Sequence, residues 1–335
     1  MKYTKTTLME LSHKYRNILK KCFFLIAGGV LLTTPALAEA SKTDKVVFSE
    51  TVQDVLTDVA TDRVSSMGVA GGDVFQGGGL WVQGLYNHSK QDKTAGNEGF
   101  KANTRGVAVG VDGKLSDVMT AGFGYGYTDT SADAGHRDVD VTGHHAFLYG
   151  QYQPSSWYAN WLLGYSYSKY EETNSPLGEK MKAKYHASSY AAQLMSGYQF
   201  QTGFAPEAGF RYLLVDQESY TNGAQHIKSD KNDVLTGVAG VRYVKALNTE
   251  KITFVPHANV ALTYDIMSEG SEANVRVIGG GDYQIKGERL HRFGFETGVG
   301  VTATINNLDL SLDYNGGFRK DFQSHTGMLK VKYNF

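Results

Sequence analysis

One cysteine, Cys22, and five prolines are all that 335 residues contain of either. A single thiol excludes a disulfide framework and any zinc site built on two or more thiolates. The scarcity of proline leaves long stretches free to pair as strands. Long apolar runs are also missing. Mean hydropathy is −0.33, and the one extended apolar stretch is too short to cross a bilayer as a helix. A helical membrane protein is thereby excluded. A β-barrel is not, because its alternating strands leave only a weak hydropathy signal. What the chain has in quantity is glycine (39), tyrosine (21) and phenylalanine (16). That composition favours strands and turns over helices.

The N-terminus carries Lys2, Lys5, Lys14, Arg16, Lys20 and Lys21 ahead of the apolar stretch CFFLIAGGVLL, residues 22–32, and then TTPALAEA. Basic, apolar, then A-x-A is the order of a secretory signal, here residues 1–38 with Ala36 and Ala38 at the cleavage site. The apolar core is too short for an uncleaved anchor. Cleavage removes Cys22, six basic residues and Glu10. It leaves 27 basic against 33 acidic residues, a net charge of −6, and no thiol for catalysis or metal. An acidic, exported chain argues against nucleic-acid binding.

Residues 39–79 form a short linker. Within it Val52, Val55, Leu56 and Val59 recur at helical spacing, with Asp58, Asp62 and Arg63 on the other face. Thr51 with Asp54 resembles a capping box, and Gly68 suits a stop. A helix over 49–66 would be roughly 27 Å long at about 1.5 Å per residue. That is close to the roughly 30 Å hydrocarbon thickness.

From Leu80 the period changes to two, and twelve alternating segments follow, from LWVQGLYNHSK to TGMLKVKYNF. The connections sort by length. Short turns are expected at 114–117, 154–156, 201–203, 248–250, 306–307 and near 322–325. Long loops are expected around 91–100, 130–138, 171–184, 219–232 and 268–288, with strand pieces over 271–286. Alternation of short turns with long loops is the pattern of a transmembrane barrel, and a soluble sandwich has no reason for it.

With Phe335 facing lipid, Leu329, Val331 and Tyr333 face lipid too, and Lys330 and Lys332 face inward. The preceding strand places Leu308, Leu310 and Leu312 outward and Asp309 and Asp313 inward, opposite Lys330 and Lys332. The same sorting turns Glu207, Arg211, Arg242, Asp265 and Glu296 to the lumen. These charges suit a wet or helix-filled interior. Trp81, Trp157, Tyr170 and Tyr220 stand near strand ends, as girdle aromatics do. Pro206 and Pro256 fall inside strands and imply local irregularities.

Candidate chemistry is sparse. His144 and His145 share a strand with Asp140, with Ser155 and Ser156 at its end, but neighbouring strand residues point to opposite faces. His145 is expected to face lipid. The other histidines lack metal-ligand spacing, and GYGYTDT and IGGGDY open no helix that could cradle phosphate. The glycines at 279–281 read as a loop or bulge. No enzyme activity, cofactor or metal is expected.

The segments GGLWVQGLYNHSK, NTRGVAVGVDGKLSDVMTAGFGYGYTDT and FGFETGVGVTATINNLDLSLDYNGGFRKD with TGMLKVKYNF resemble the translocator domain of classical type V autotransporters. The resemblance runs from about Gly77 to Phe335 and includes the helix. It implies an all-β fold: a 12-stranded antiparallel transmembrane β-barrel over residues 72–335 with the N-terminal helix in its lumen. It implies outer-membrane lipid, the β-barrel assembly machinery and Sec export as partners, and a monomer. It also implies that Leu329, Val331, Tyr333 and Phe335 carry the assembly signal. The family places a long passenger before the helix; here about 40 residues stand there, without a repeat. The expected function is a translocator or surface-display anchor with a reduced or absent passenger. An open pore, a loop-based adhesin and an outer-membrane hydrolase are the alternatives.

Overall fold

The computed structural model describes residues 78–94, 99–135, 137–174, 180–222, 225–268, 272–277, 282–286 and 290–335. The expected leader with Ala36 and Ala38, the expected helix over 49–66 and the glycines at 279–281 lie outside the described residues.

Alternation produces long strands. In order they are β1 (Gly79–Gln91), β2 (Phe100–Ser116), β3 (Met119–Ala134), β4 (Arg137–Tyr152), β5 (Trp157–Asn174) and β6 (Met181–Tyr198). Next come β7 (Phe204–Gln217), β8 (Tyr220–Asn222), β9 (Gln225–Ile227), β10 (Asp230–Val244), β11 (Leu247–Asn248) and β12 (Thr253–Ser268). The last are β13 (Glu272–Val277), β14 (Asp282–Lys286), β15 (Phe293–Ile305), β16 (Leu308–Arg319) and β17 (Phe322–Asn334). Twelve of them, β1–β7, β10, β12 and β15–β17, pair antiparallel with their neighbours. β1 meets β17, and β10 meets β12. The sheet is thus a closed 12-stranded barrel, and every long strand has a neighbour on both sides. In lipid only such closure satisfies the backbone.

Burial alternates along each wall. Leu80, Val82, Leu148, Leu163, Leu194, Val260, Leu312 and Leu329 are among the exposed apolar residues, forming an outward belt. Exposed rings edge it on both sides: Trp157, Tyr198, Phe204 and Phe254 at one end, and Tyr86, Tyr167, Tyr264 and Phe293 at the other. This is the girdle of a membrane barrel. Of the expected girdle residues only Trp157 belongs to it. Trp81, Tyr170 and Tyr220 are 3–5% exposed and point inward, where ring packing rather than the interface holds them.

Strand ends revise two expectations. β3 and β4 run on to the pair Ala134 and Arg137, so no long loop over 130–138 joins them; Gly135, just past β3, has a φ of 68°. The last turn lies at Lys320 and Asp321, where Asp321 has a φ of 61°. Pro206 and Pro256 break no register. The β6–β7 ladder stops at Glu207 and the β10–β12 ladder at His257, so each proline sits just past the end of one ladder. The shift in the β10–β12 ladder falls at Leu235 and Thr236 instead.

β5 and β6 have 18 residues each, whereas about 9–11 cross a membrane. This side of the barrel therefore projects beyond the bilayer at its outer end. There a second sheet, in the order β14–β13–β9–β8, shares no strand pairing with the barrel among the described residues.

Candidate functional site

The barrel interior is the candidate site, and its charges sort into short networks. Lys332 and Asp112 form an ion pair of 3.0 Å. The Tyr149 hydroxyl donates to the same carboxylate (3.1 Å), and Trp81 Nε1 donates to Tyr149 (2.8 Å). One network thus links β17, β2, β4 and β1 around the seam where the barrel closes. Asp309 lies opposite Lys332 in register but accepts from Thr304 (2.8 Å) and Asn334 (3.0 Å). Asp313 bonds His257 Nε2 (2.7 Å). The expected pairing of Asp309 with Lys332 is therefore replaced. The partner reached by Lys332 is Asp112, on the other side of β1. Lys330 is buried level with Gln83 and Ser311.

Four of the inward contacts share one device. The side chains sit two strands apart, and the strand between them presents a glycine. A Cβ on Gly79 would strike Lys332 Cε, one on Gly122 the Tyr149 ring, one on Gly197 the Tyr158 ring, and one on Gly300 both Asp313 and His257. Tyr158 thereby crosses β6 to donate to Glu207 (2.8 Å). Arg242 lies 3.8 Å from Glu207 and 5.0 Å over the Tyr158 ring. Part of the high glycine content is thus the space that lets an inward network cross a wall strand.

A longer link runs along the lumen wall. Arg211 on β7 holds Glu296 on β15 with two hydrogen bonds, 2.6 and 2.8 Å, and donates a third to Gln193 (2.8 Å). β10 and β12 lie between them, with Gly240 and Ala261 level with Glu296. Arg319 pairs with Asp265, which also accepts from Thr236 (2.9 Å).

The lumen has two unlike sides. Toward β1, β4 and β5, Trp81, Leu85, Phe147, Tyr149 and Leu162 pack into a buried apolar cluster. Toward β7 and β15, Glu207, Arg211 and Glu296 keep side-chain exposures of 17%, 24% and 30% although they point inward, so free space lies beside them.

His145 is a correction. It is 2% exposed and points into the barrel, bonded to Thr128 (2.8 Å) and Ser166 (2.8 Å). His144 points out and bonds Tyr125 (2.7 Å). The inner face of β4 carries the apolar Val139, Val141, Phe147 and Tyr149 beside His145, so hydropathy assigned the strand to the wrong side. The two histidines share no site, and Asp140 is exposed at the outer end.

Sequence reasoning missed Asp112, Tyr149 and Trp81. Asp112 was readable: Val107, Val109 and Val111 are exposed outward, which turns Asp112 inward. The role of Trp81 and Tyr149 depends on ring packing, which alternation does not report.

Residues 80–315 match the family model described as Autotransporter beta-domain. Outer membrane protein B of Rickettsia typhi is 27% identical over 330 residues, covering 88% of this chain and 19% of that protein. Outer membrane protein A of Rickettsia conorii is 23% identical over 282 residues, covering 77% and 14%. The chain thus spans less than a fifth of the length of these relatives. Among solved structures, the translocator domain of the autotransporter NalP from Neisseria meningitidis superposes with a TM-score of 0.67 at 18% identity, covering 85% of this chain and 98% of that one. The β-domain of the Bordetella autotransporter BrkA gives 0.61 at 19%, covering 78% and 100%.

Proposed function

We propose, for a chain that belongs to the autotransporter family through its β-domain, that the barrel passes the segment ahead of it through the lumen and anchors it at the cell surface. The barrel is an outer-membrane translocator barrel of that family. The observation that carries the reading is the unequal lumen. One side is filled by rings, whereas the side of Glu207, Arg211 and Glu296 pairs partly exposed charges with the small residues Gly240 and Ala261. A segment bearing Asp58, Asp62 and Arg63 finds polar partners there and Val52, Val55, Leu56 and Val59 find the apolar side. We place the helix over 49–66 in that space.

Assembly follows from the same frame. Leu329, Tyr333 and Phe335 are 55–63% exposed on the outer face, with Val331 between them. On a strand that must close onto β1, they are the face available to the β-barrel assembly machinery after Sec export. The domain acts as a monomer surrounded by lipid.

The test uses a tagged cargo placed ahead of Ser49. A photo-reactive residue at Asn259, on the inner face of β12, is expected to capture chain from ahead of the barrel. The same residue at Val260, 49% exposed on the outer face, is expected to capture none. Equal capture at both positions, or none at Asn259, overturns the lumen route.

A further inference from the structure

The outer end of the lumen is not wet. Ala102, Val141, Tyr170, Tyr185, Tyr220 and Ile227 belong to one buried apolar cluster. Its members come from β2–β7, from β17 and from the second sheet, so it reaches across the mouth. Tyr170 and Tyr185 stack with centroids 4.9 Å apart, and Tyr185 and Tyr220 at 4.3 Å. Ile227 is fully buried and Tyr220 is 5% exposed, although both sit in short strands outside the barrel wall.

We infer that β8, β9, β13 and β14 form a lid that seals the outer mouth, with Tyr220 and Ile227 as the wedge, and that a crossing polypeptide lifts it. The seal stands on geometry alone; its lifting by a crossing chain rests on the translocator reading. The lid can move as a unit because, among the described residues, its ladders run only within itself: β8–β9, β9–β13 and β13–β14. Lifting it breaks no barrel ladder and satisfies no new backbone group. It uncovers the apolar cluster together with the buried Arg137 of β4 and Glu172 of β5 beside Tyr220, and the apolar side chains close again when the crossing chain has gone. One backbone link, Glu218 N–H to His186 C=O (3.0 Å), ties the start of the lid to β6 as a hinge. Burial also pushes the Tyr220 phenol well above its usual pKa, as a ring held out of water requires. The seal lies above the membrane-level lumen, so it is distinct from the helix placed there.

The test reads thiol labelling from outside intact cells with a membrane-impermeant maleimide. A102C, at a fully buried wall position, is expected to react at least ten-fold more slowly than T221C on the exposed lid. A187C, 2% exposed, serves as a second site if A102C folds poorly, and heat-modifiable migration reports folding throughout. Adding Ile227→Ala is expected to raise the rate at least ten-fold with folding kept, whereas deleting 49–66 leaves it slow. Fast labelling in the parent background, fast labelling on deleting 49–66, or slow labelling with Ile227→Ala each overturns the seal. With a cargo displayed at the surface, labelling is expected to accelerate. If cargo is displayed and labelling stays slow, the lid is not lifted by a crossing chain. If Ile227→Ala accelerates labelling but no cargo is displayed, the seal stands and the translocator reading falls.

Discussion

Lys332 on β17 meets Asp112 on β2 across β1, 3.0 Å apart, with both side chains 2% exposed. The contact exists because Gly79, the residue between them, has no side chain to block Lys332. It joins the last strand to the second and so locks the seam at which the barrel closes. Losing either partner leaves a buried charge uncompensated. Lys332→Met or Asp112→Leu alone should destabilise the purified barrel by about 3–5 kcal/mol, and the double variant by less. Denaturation followed by heat-modifiable migration measures all three. An additive double variant would show that the pair is not coupled.

His145 gives a prediction that separates structure from chemistry. His145→Ala leaves the hydroxyls of Thr128 and Ser166 without their shared partner. A loss of about 1–3 kcal/mol in barrel stability is expected. Surface display of a cargo should persist where the barrel still folds. Hydrolysis of lipid or peptide by the pure parent protein, abolished by His145→Ala, would instead support the hydrolase alternative.

Leu312 and Leu329 face each other on the outer surface of β16 and β17, 62% and 58% exposed. Leu329→Arg places a charge against hydrocarbon and should cost about 2–4 kcal/mol if the site lies near mid-membrane. The folded fraction in native membranes should fall, and more so than for Gln323→Arg near the outer rim. Equal effects at both positions would contradict the membrane placement.

Tyr220 supplies a pH prediction. Burial raises its pKa in the closed lid, so closure contributes fully below the ordinary phenol value of about 10 and is lost as pH climbs through the raised value. In an alkaline titration read by phenolate absorbance, Tyr220→Phe should superimpose on the parent through the range of ordinary phenols. The parent should show its extra ionisation only above it. An extra phenol titrating at the ordinary value would mean that the ring is solvated.

Hydropathy alternation read the walls best where the lumen is polar. β16 and β17 sort cleanly because Asp309, Ser311, Asp313, Lys330 and Lys332 oppose leucines and tyrosines on the same strands. It failed on β4, whose inner face holds Val139, Val141, Phe147 and Tyr149 and whose outer face ends in Asp138 and Asp140 above the membrane. There both rules invert, and His145 was misassigned with them. The lid was half legible. The stretch over 271–286 suggested strand pieces, whereas β8 and β9 are three residues each and owe their form to pairing and burial. Charge partners were the least legible, because Lys332 passes over a glycine to a strand that register alone does not offer it.

Surface exposure of a tag tests the central claim most directly. A small epitope inserted at Lys42, between the expected leader and the helix, together with a folded-barrel control, is probed by antibody and external protease on intact cells. The translocator account predicts that the tag is reached and removed while the barrel keeps its heat-modifiable migration. A tag reached only after the outer membrane is permeabilised, with the barrel folded, would contradict it.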